Sequence, residues 1–316
     1  MEAGSLDAGR DRLLAAILHF FDSQDLRTRQ EIRAALEGEL AAAGPQAVHD
    51  LKAHVTADHG WAYYAPDALA RRIHHRLADR FLTPDSQFFG VEHLAAVGDA
   101  PVVIFANHLS YSDANVIDIL LRRAGAAPLA DRLTAIAGPK VFTSQERRFS
   151  SLCFGTIKVP QSAAVSSEGA VLNVREVARA ARQAIRLARQ RVAAGDALLL
   201  FGEGRRSRSA AMQPMLAGVA RYIEALDAWV LPVGLEGPEA LFPVEDSTLH
   251  PARIVMGVGG PFRANDLMTE AGEDRRVVMD AVGLAIAGLV SPAYRGAYAN
   301  AADFPDASAV LSALRT

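Results

Sequence analysis

The chain of 316 residues contains a single cysteine, Cys153. One cysteine excludes an internal disulfide framework and a multi-cysteine metal site, and it fits a reducing compartment. Flanked by Leu152 and Phe154, its thiol is expected to be buried and structural rather than nucleophilic. Long hydrophobic runs are missing as well. Runs such as 101–106 and 197–201 fall far short of the ~20 apolar residues that cross a bilayer. The first residues, with Glu2 and Asp7 ahead of a short apolar stretch, do not read as a secretory signal. A cytoplasmic chain is therefore expected, in contact with a membrane only peripherally, on its inner face. Excess positive charge is also absent: the net charge of −3 gives no bulk attraction to nucleic acid. No Gly-x4-Gly-Lys-Ser/Thr loop and no Gly-x-Ser-x-Gly elbow occurs. His19, His54, His59 and the pair His74-His75 have no metal-ligand spacing with nearby acids, so no metal is assigned.

What is present is a composition of 50% hydrophobic and 22% charged residues, enough for a sizeable core. Residues 8–85 read as helical. Leu13, Leu14, Ile17, Leu18 and Phe21 fall at helical spacing, a second helix fits 28–43 ahead of the breaker pair Gly44-Pro45, and a third fits 67–81. Beyond Pro84-Asp85 short apolar runs alternate with longer helical patterns. The runs are 102–105, 134–137, 156–159, 197–201, 229–233 and 253–258; helices fit 113–124, 169–194, 215–225 and 273–290. This alternation predicts an α/β fold, a mostly parallel sheet flanked by helices, behind an N-terminal helical region. The expected divisions are 1–85, 86–300 and a tail or small terminal helix over 301–316.

In parallel sheets, sites gather where strands end and helices begin. At one such place "FANHLSYSDAN" puts Asn107, His108 and Asp113 just past an apolar strand. A spacing of five lets the carboxylate hold one imidazole nitrogen while the other accepts a proton from a hydroxyl. The competing reading has Asp113 capping the next helix and His108 packed at the strand end. A second segment, "LLLFGEGRRSRS", leaves another strand with Gly202, Glu203, Gly204, Arg205, Arg206, Ser207 and Arg208. Glycines admit close backbone approach, and guanidinium forks suit phosphate.

Jointly these segments resemble the glycerolipid acyltransferases, the family of glycerol-3-phosphate and 1-acylglycerol-3-phosphate acyltransferases. The resemblance runs over about residues 90–262. It rests on Asn107-His108-x4-Asp113, on Phe201-Gly202-Glu203-Gly204-Arg205-Arg206-Ser207 and on Val230-Leu231-Pro232-Val233. It implies transfer of an acyl group from acyl-CoA or an acyl-carrier protein to the hydroxyl of a glycerophosphate, with the thioester as co-substrate and no cofactor. His108 would be the general base and Asp113 its partner. Glu203, Gly204, Arg206 and Ser207 would sit at the acceptor phosphate, with Asn107 holding the turn and Pro232 shaping a pocket. The sequence departs from the family where Pro160 and Gln161 replace an acid and a phosphate-holding arginine, and where Gly202 and Arg205 replace proline and threonine. Lys158 would compensate, or Lys140, Arg147 and Arg148. A different lipid, amine or hydroxyl acceptor stays open, as does a silent lipid- or acyl-carrier-binding protein.

Two features stand apart. Arg175, Arg179, Arg182, Arg186 and Arg189 recur at three-four spacing, forming either a solvated helix face or a headgroup-docking stripe. "MGVGGPF" lacks the third glycine of a dinucleotide loop and has Pro261 where a helix would start, so a strand-ending turn is expected.

Overall fold

The computed structural model describes residues 11, 13–22, 24–78, 80–160, 173–243, 245–246 and 248–315. Gln161, singled out above, lies outside the described residues. The strands are β1 (Tyr63–Tyr64), β2 (Gln87–Phe89), β3 (Val102–Ala106), β4 (Leu133–Ala137), β5 (Gly155–Lys158), β6 (Ala197–Phe201), β7 (Trp229–Glu236), β8 (Val255–Val258) and β9 (Phe262–Arg263). The chain divides into two compact units that do not follow chain order. One combines the described residues up to Thr83 with Ala137–Ala184 and Ala240–Ala252; the other holds Pro84–Ile136, Ile185–Glu239 and Arg253 onward.

The first unit is mainly helical, as its apolar spacing predicts. In the helix Leu26–Thr56, residues Ile32, Leu36, Leu40, Val48, Leu51 and Val55 are buried. The Asp25 carboxylate caps its start by accepting from the Thr28 amide at 3.1 Å. The expected stop at Gly44-Pro45 appears as a kink, because Gly44 takes φ +79° and Pro45 restarts the helix. Asp67 caps the helix Ala68–Ala78, accepting from the amides of Leu69 and Ala70 at 2.9 Å. β1 and β5 form an antiparallel pair with Tyr63 opposite Ile157. Cys153 is buried, as expected.

The second unit carries the sheet in the order β4-β6-β3-β7-β8-β2, with β9 beside β7. β4, β6, β3 and β7 run parallel, β8 and β9 antiparallel to β7, and β2 parallel to β8. β3 lies centrally and every residue of it is buried, which is why its sequence is an unbroken apolar run rather than an alternation. The helix Arg275–Ala287 packs on β3 and β7, and Pro305–Ala313 packs on that helix with Ala307 and Val310 buried. The terminal segment is thus a helix.

Two expectations shift and a third holds. The helix expected at 215–225 is a short 3₁₀ turn, Ala217–Tyr222, because the Met215 amide donates to Tyr298 Oη and its carbonyl accepts from Arg276. β7 runs to Glu236 rather than 233, since its last residues pair with β8. The glycine-rich stretch is the turn from β8 to β9, as expected.

Candidate active site

The site grows from the C-terminal end of β3. Asn107 is fully buried, and its side-chain amide takes the place of a ladder partner: Oδ1 accepts from the Leu235 amide at 2.8 Å and Nδ2 donates to the Leu235 carbonyl at 2.9 Å. This double bond fixes where the strand stops, so the next residue, His108, leaves the sheet at a defined point. The imidazole stacks on Phe201 at the end of β6, with ring centroids 4.3 Å apart.

Asp113, fully buried at the start of the helix Asp113–Arg123, does more than cap. Its Oδ2 lies 2.8 Å from His108 Nδ1 and also accepts from the amides of Leu109 and Ser110 at 2.7 and 3.0 Å. Three donors converging on one oxygen close the loop 108–113 into a ring. With Nδ1–H donating to Asp113, the neutral imidazole has Nε2 as its acceptor atom. The His108 side chain is 18% exposed, enough for that edge to meet a substrate. The N-cap, Ser112, makes no side-chain capping bond, and the aspartate is directed back to the histidine.

The second loop is bound to the first at the backbone. Glu203 Oε1 accepts from the His108 amide at 2.8 Å, its Oε2 accepts from the Gln213 amide at 2.7 Å, and the Ser207 amide donates to the His108 carbonyl at 2.7 Å. Glu203 is 3% exposed, and burial pushes its carboxyl up to about 7 despite the two amides that favour the anion. Gly204 sits at φ +70°, a backbone conformation that favours glycine. The Ser207 hydroxyl donates to the Ala211 carbonyl at 2.7 Å, which makes it a tie within its own loop. The Arg206 guanidinium lies 4.4 Å over the Tyr111 ring, a residue of the histidine loop.

Asn107, His108, Asp113, Glu203, Gly204, Arg206 and Ser207 are thus gathered in the second unit by direct contacts. Pro232 lies inside β7 opposite Phe105, buried, and its carbonyl accepts from the Gly259 amide at 2.9 Å. Lys158 lies in the first unit, bound to both Asp58 oxygens at 2.9 Å and placed over the Trp61 and Phe142 rings. Arg148 is buried there against Tyr64 and Phe142, and burial lowers its pKa from the ordinary guanidinium value. Residues the sequence reading passed over are Tyr111, Leu235 and Gln213. Tyr111 stood inside the quoted histidine stretch, whereas the other two act through backbone groups, which leave no residue signature.

The histidine–aspartate pair at the end of β3 and the Gly-Glu-Gly-Arg-Arg-Ser loop bound to it fall within residues 86–236, which match the family model described as Acyltransferase. The matched stretch, just under half of the chain, is similar to that family. Among solved structures, the 1-acyl-sn-glycerophosphate acyltransferase PlsC from Thermotoga maritima is similar at 17% identity and a TM-score of 0.46, with 88% of this chain and 91% of that chain covered. No curated protein matches the chain by sequence.

Proposed function

We propose that the chain transfers a fatty acyl group from a thioester, acyl-CoA or an acyl-carrier protein, to a hydroxyl of glycerol 3-phosphate or 1-acylglycerol 3-phosphate. The observation that carries this reading is the 2.8 Å His108–Asp113 pair tied by two backbone bridges to the Glu203–Ser207 loop. In this mechanism the acceptor hydroxyl gives its proton to His108 Nε2 as its oxygen attacks the thioester carbonyl. Asp113 keeps Nδ1–H oriented and offsets the charge of the imidazolium. The tetrahedral intermediate collapses, the carbon–sulfur bond breaks, and the leaving thiolate takes the proton back from Nε2. The product is an ester and a free thiol. A thioester is already activated, so base catalysis and positioning suffice without an acyl-enzyme. Arg206, supported by Tyr111, faces the acceptor phosphate in this reading. Lys158 is left out of it, because its ammonium is satisfied by Asp58.

That engagement of Lys158, with Arg148 buried against rings, favours a second reading: an acceptor lacking the glycerophosphate, such as another lipid hydroxyl or an amine. Thiol release from palmitoyl-CoA separates the two. Release that needs glycerol 3-phosphate or lysophosphatidic acid and disappears in His108→Ala supports the first. Release driven only by a long-chain amine supports the second. A folded protein that releases no thiol from either donor class, whatever the acceptor, overturns both in favour of a silent binding protein.

A further inference from the structure

The helix Val174–Ala193 carries four arginines that the described residues leave without a bond. Arg175, Arg179, Arg182 and Arg186 are exposed and make no hydrogen bond or ion pair among the described residues. At about 100° per residue they fall within an arc of about 60°, and at 1.5 Å per residue they form a row about 17 Å long. The row belongs to one continuous helix, so helical geometry alone fixes it. Its opposite face is occupied: Ala180, Ala184, Ala188 and Val192 are buried. The other basic residues of the helix are engaged. Arg189 donates to the carbonyls of Arg221 and Glu224, and Arg191 pairs with Asp196. The helix's own acid is turned away, because Glu176 accepts from the Asn173 amide while Asn173 Oδ1 accepts from the Glu176 amide, closing the helix start.

Four unpartnered guanidinium groups in line repel one another, and an exposed face gains nothing by itself from such a row. The arrangement calls for an anionic counter-surface. We propose that this ridge seats the protein on a bilayer containing anionic lipids, with the arginines paired to headgroup phosphates. A protein partner of stable affinity needs a desolvated core with aromatic or apolar anchors. Among the exposed residues of this helix, Val174 is the single large apolar side chain. Headgroup binding needs none, since each basic residue near the surface adds its own electrostatic attraction. The net charge of −3 makes the concentration of positive charge on one ridge a local feature rather than a general basicity. The inference stands on the helix and is independent of which acceptor the active site uses.

The test is co-sedimentation of the full chain with vesicles of phosphatidylcholine alone and of phosphatidylcholine mixed with phosphatidylglycerol, at low and high salt. Binding is expected on the mixed vesicles only and is expected to weaken with salt. Joint replacement Arg175→Gln, Arg179→Gln, Arg182→Gln and Arg186→Gln should lower partitioning about a thousandfold. The corresponding four Arg→Lys changes should preserve it, because a headgroup surface reads charge and not fork geometry. If the fourfold Gln variant fails to fold, the pairs Arg175→Gln/Arg179→Gln and Arg182→Gln/Arg186→Gln should each lower it about thirtyfold. Thiol release from a short-chain, soluble donor and acceptor, measured without vesicles, should be the same in all variants, which separates this inference from the acyl-transfer reading. Equal binding to both vesicle types, or undiminished binding by the Gln variants, overturns the proposal. So does an acidic carrier protein that binds the ridge where vesicles do not.

Discussion

Two polar clusters in the chain are assembled from similar parts. In one, His108 meets a buried Asp113 at the end of β3. In the other, Lys158 at the end of β5 meets Asp58, with the Tyr64 hydroxyl 3.0 Å from the same carboxylate and donated to by the His59 amide. The burial is reversed. Asp113 is fully enclosed and the histidine is 18% exposed, whereas Asp58 is 61% exposed and Lys158 only 10%. In the first cluster the anion is fixed by three N–H donors and the titratable partner keeps one nitrogen at the surface. In the second the cation is held bidentately and laid over aromatic rings. A pair built to exchange a proton with something else needs a fixed anion and a reachable base. A pair built to close a fold needs neither group reachable.

That contrast gives an ordered set of expectations. His108→Ala should lower turnover about 10²–10⁴-fold, the usual worth of a general base, with little change in thermal midpoint, because Asp113 keeps the amides of Leu109 and Ser110 and Glu203 keeps the amide of residue 108. A variant that instead unfolds would make the first cluster as structural as the second.

Glu203 sharpens the same comparison through pH. Its carboxyl is raised to about 7 in the fold from an ordinary 4.5. Between these values the folded chain binds more protons than the unfolded one, so stability falls as pH rises through that window. The integrated loss is about 3 kcal/mol. Denaturant unfolding across pH 4.5–8 should show this slope in the wild type and lose it in Glu203→Gln. Because Glu203 holds the His108 amide, the variant should lower turnover as well. Arg206→Ala has a smaller, narrower effect: a rise of about tenfold in acceptor KM, near the worth of one charge-assisted bond to phosphate, with little change in kcat. Unchanged KM for every phosphorylated acceptor would remove Arg206 from the phosphate side of the site.

The histidine loop was readable because its chemistry is local. Residues 107–113 sit on one turn, and five positions are a spacing that a turn can close. The strand order around it was readable as a class, since buried parallel strands write themselves as apolar runs. The links between loops were not readable as contacts. Glu203 reaches the His108 amide across 95 positions, and the bond goes to a backbone group that every residue possesses. The same distance effect hid the fate of Lys158. Its residue type and place near the end of a strand fit a phosphate ligand, but its partner stands 100 positions away in the N-terminal segment. Ser207 reads as a donor for a ligand and is occupied by the Ala211 carbonyl, a contact set by the shape of the loop.

Lys158→Met is the smallest expected effect and the one that completes the contrast. Methionine keeps the unbranched stem against Trp61 and Phe142 and removes only the charge. Asp58 is left mostly solvated, so the loss should stay below about 1 kcal/mol, as for exposed ion pairs. The Lys158 hydrogen bond is the main reason the Asp58 carboxyl lies below its ordinary value of 3.8. A depressed carboxylate stabilises the fold above its unfolded pKa and ceases to do so as pH falls through its folded one. The difference between variant and wild type should therefore be present at neutral pH and vanish in acid. Turnover and acceptor KM should not move. A rise in KM for glycerol 3-phosphate with stability intact would show instead that the ammonium leaves Asp58 for the substrate, and the second cluster would then belong with the first.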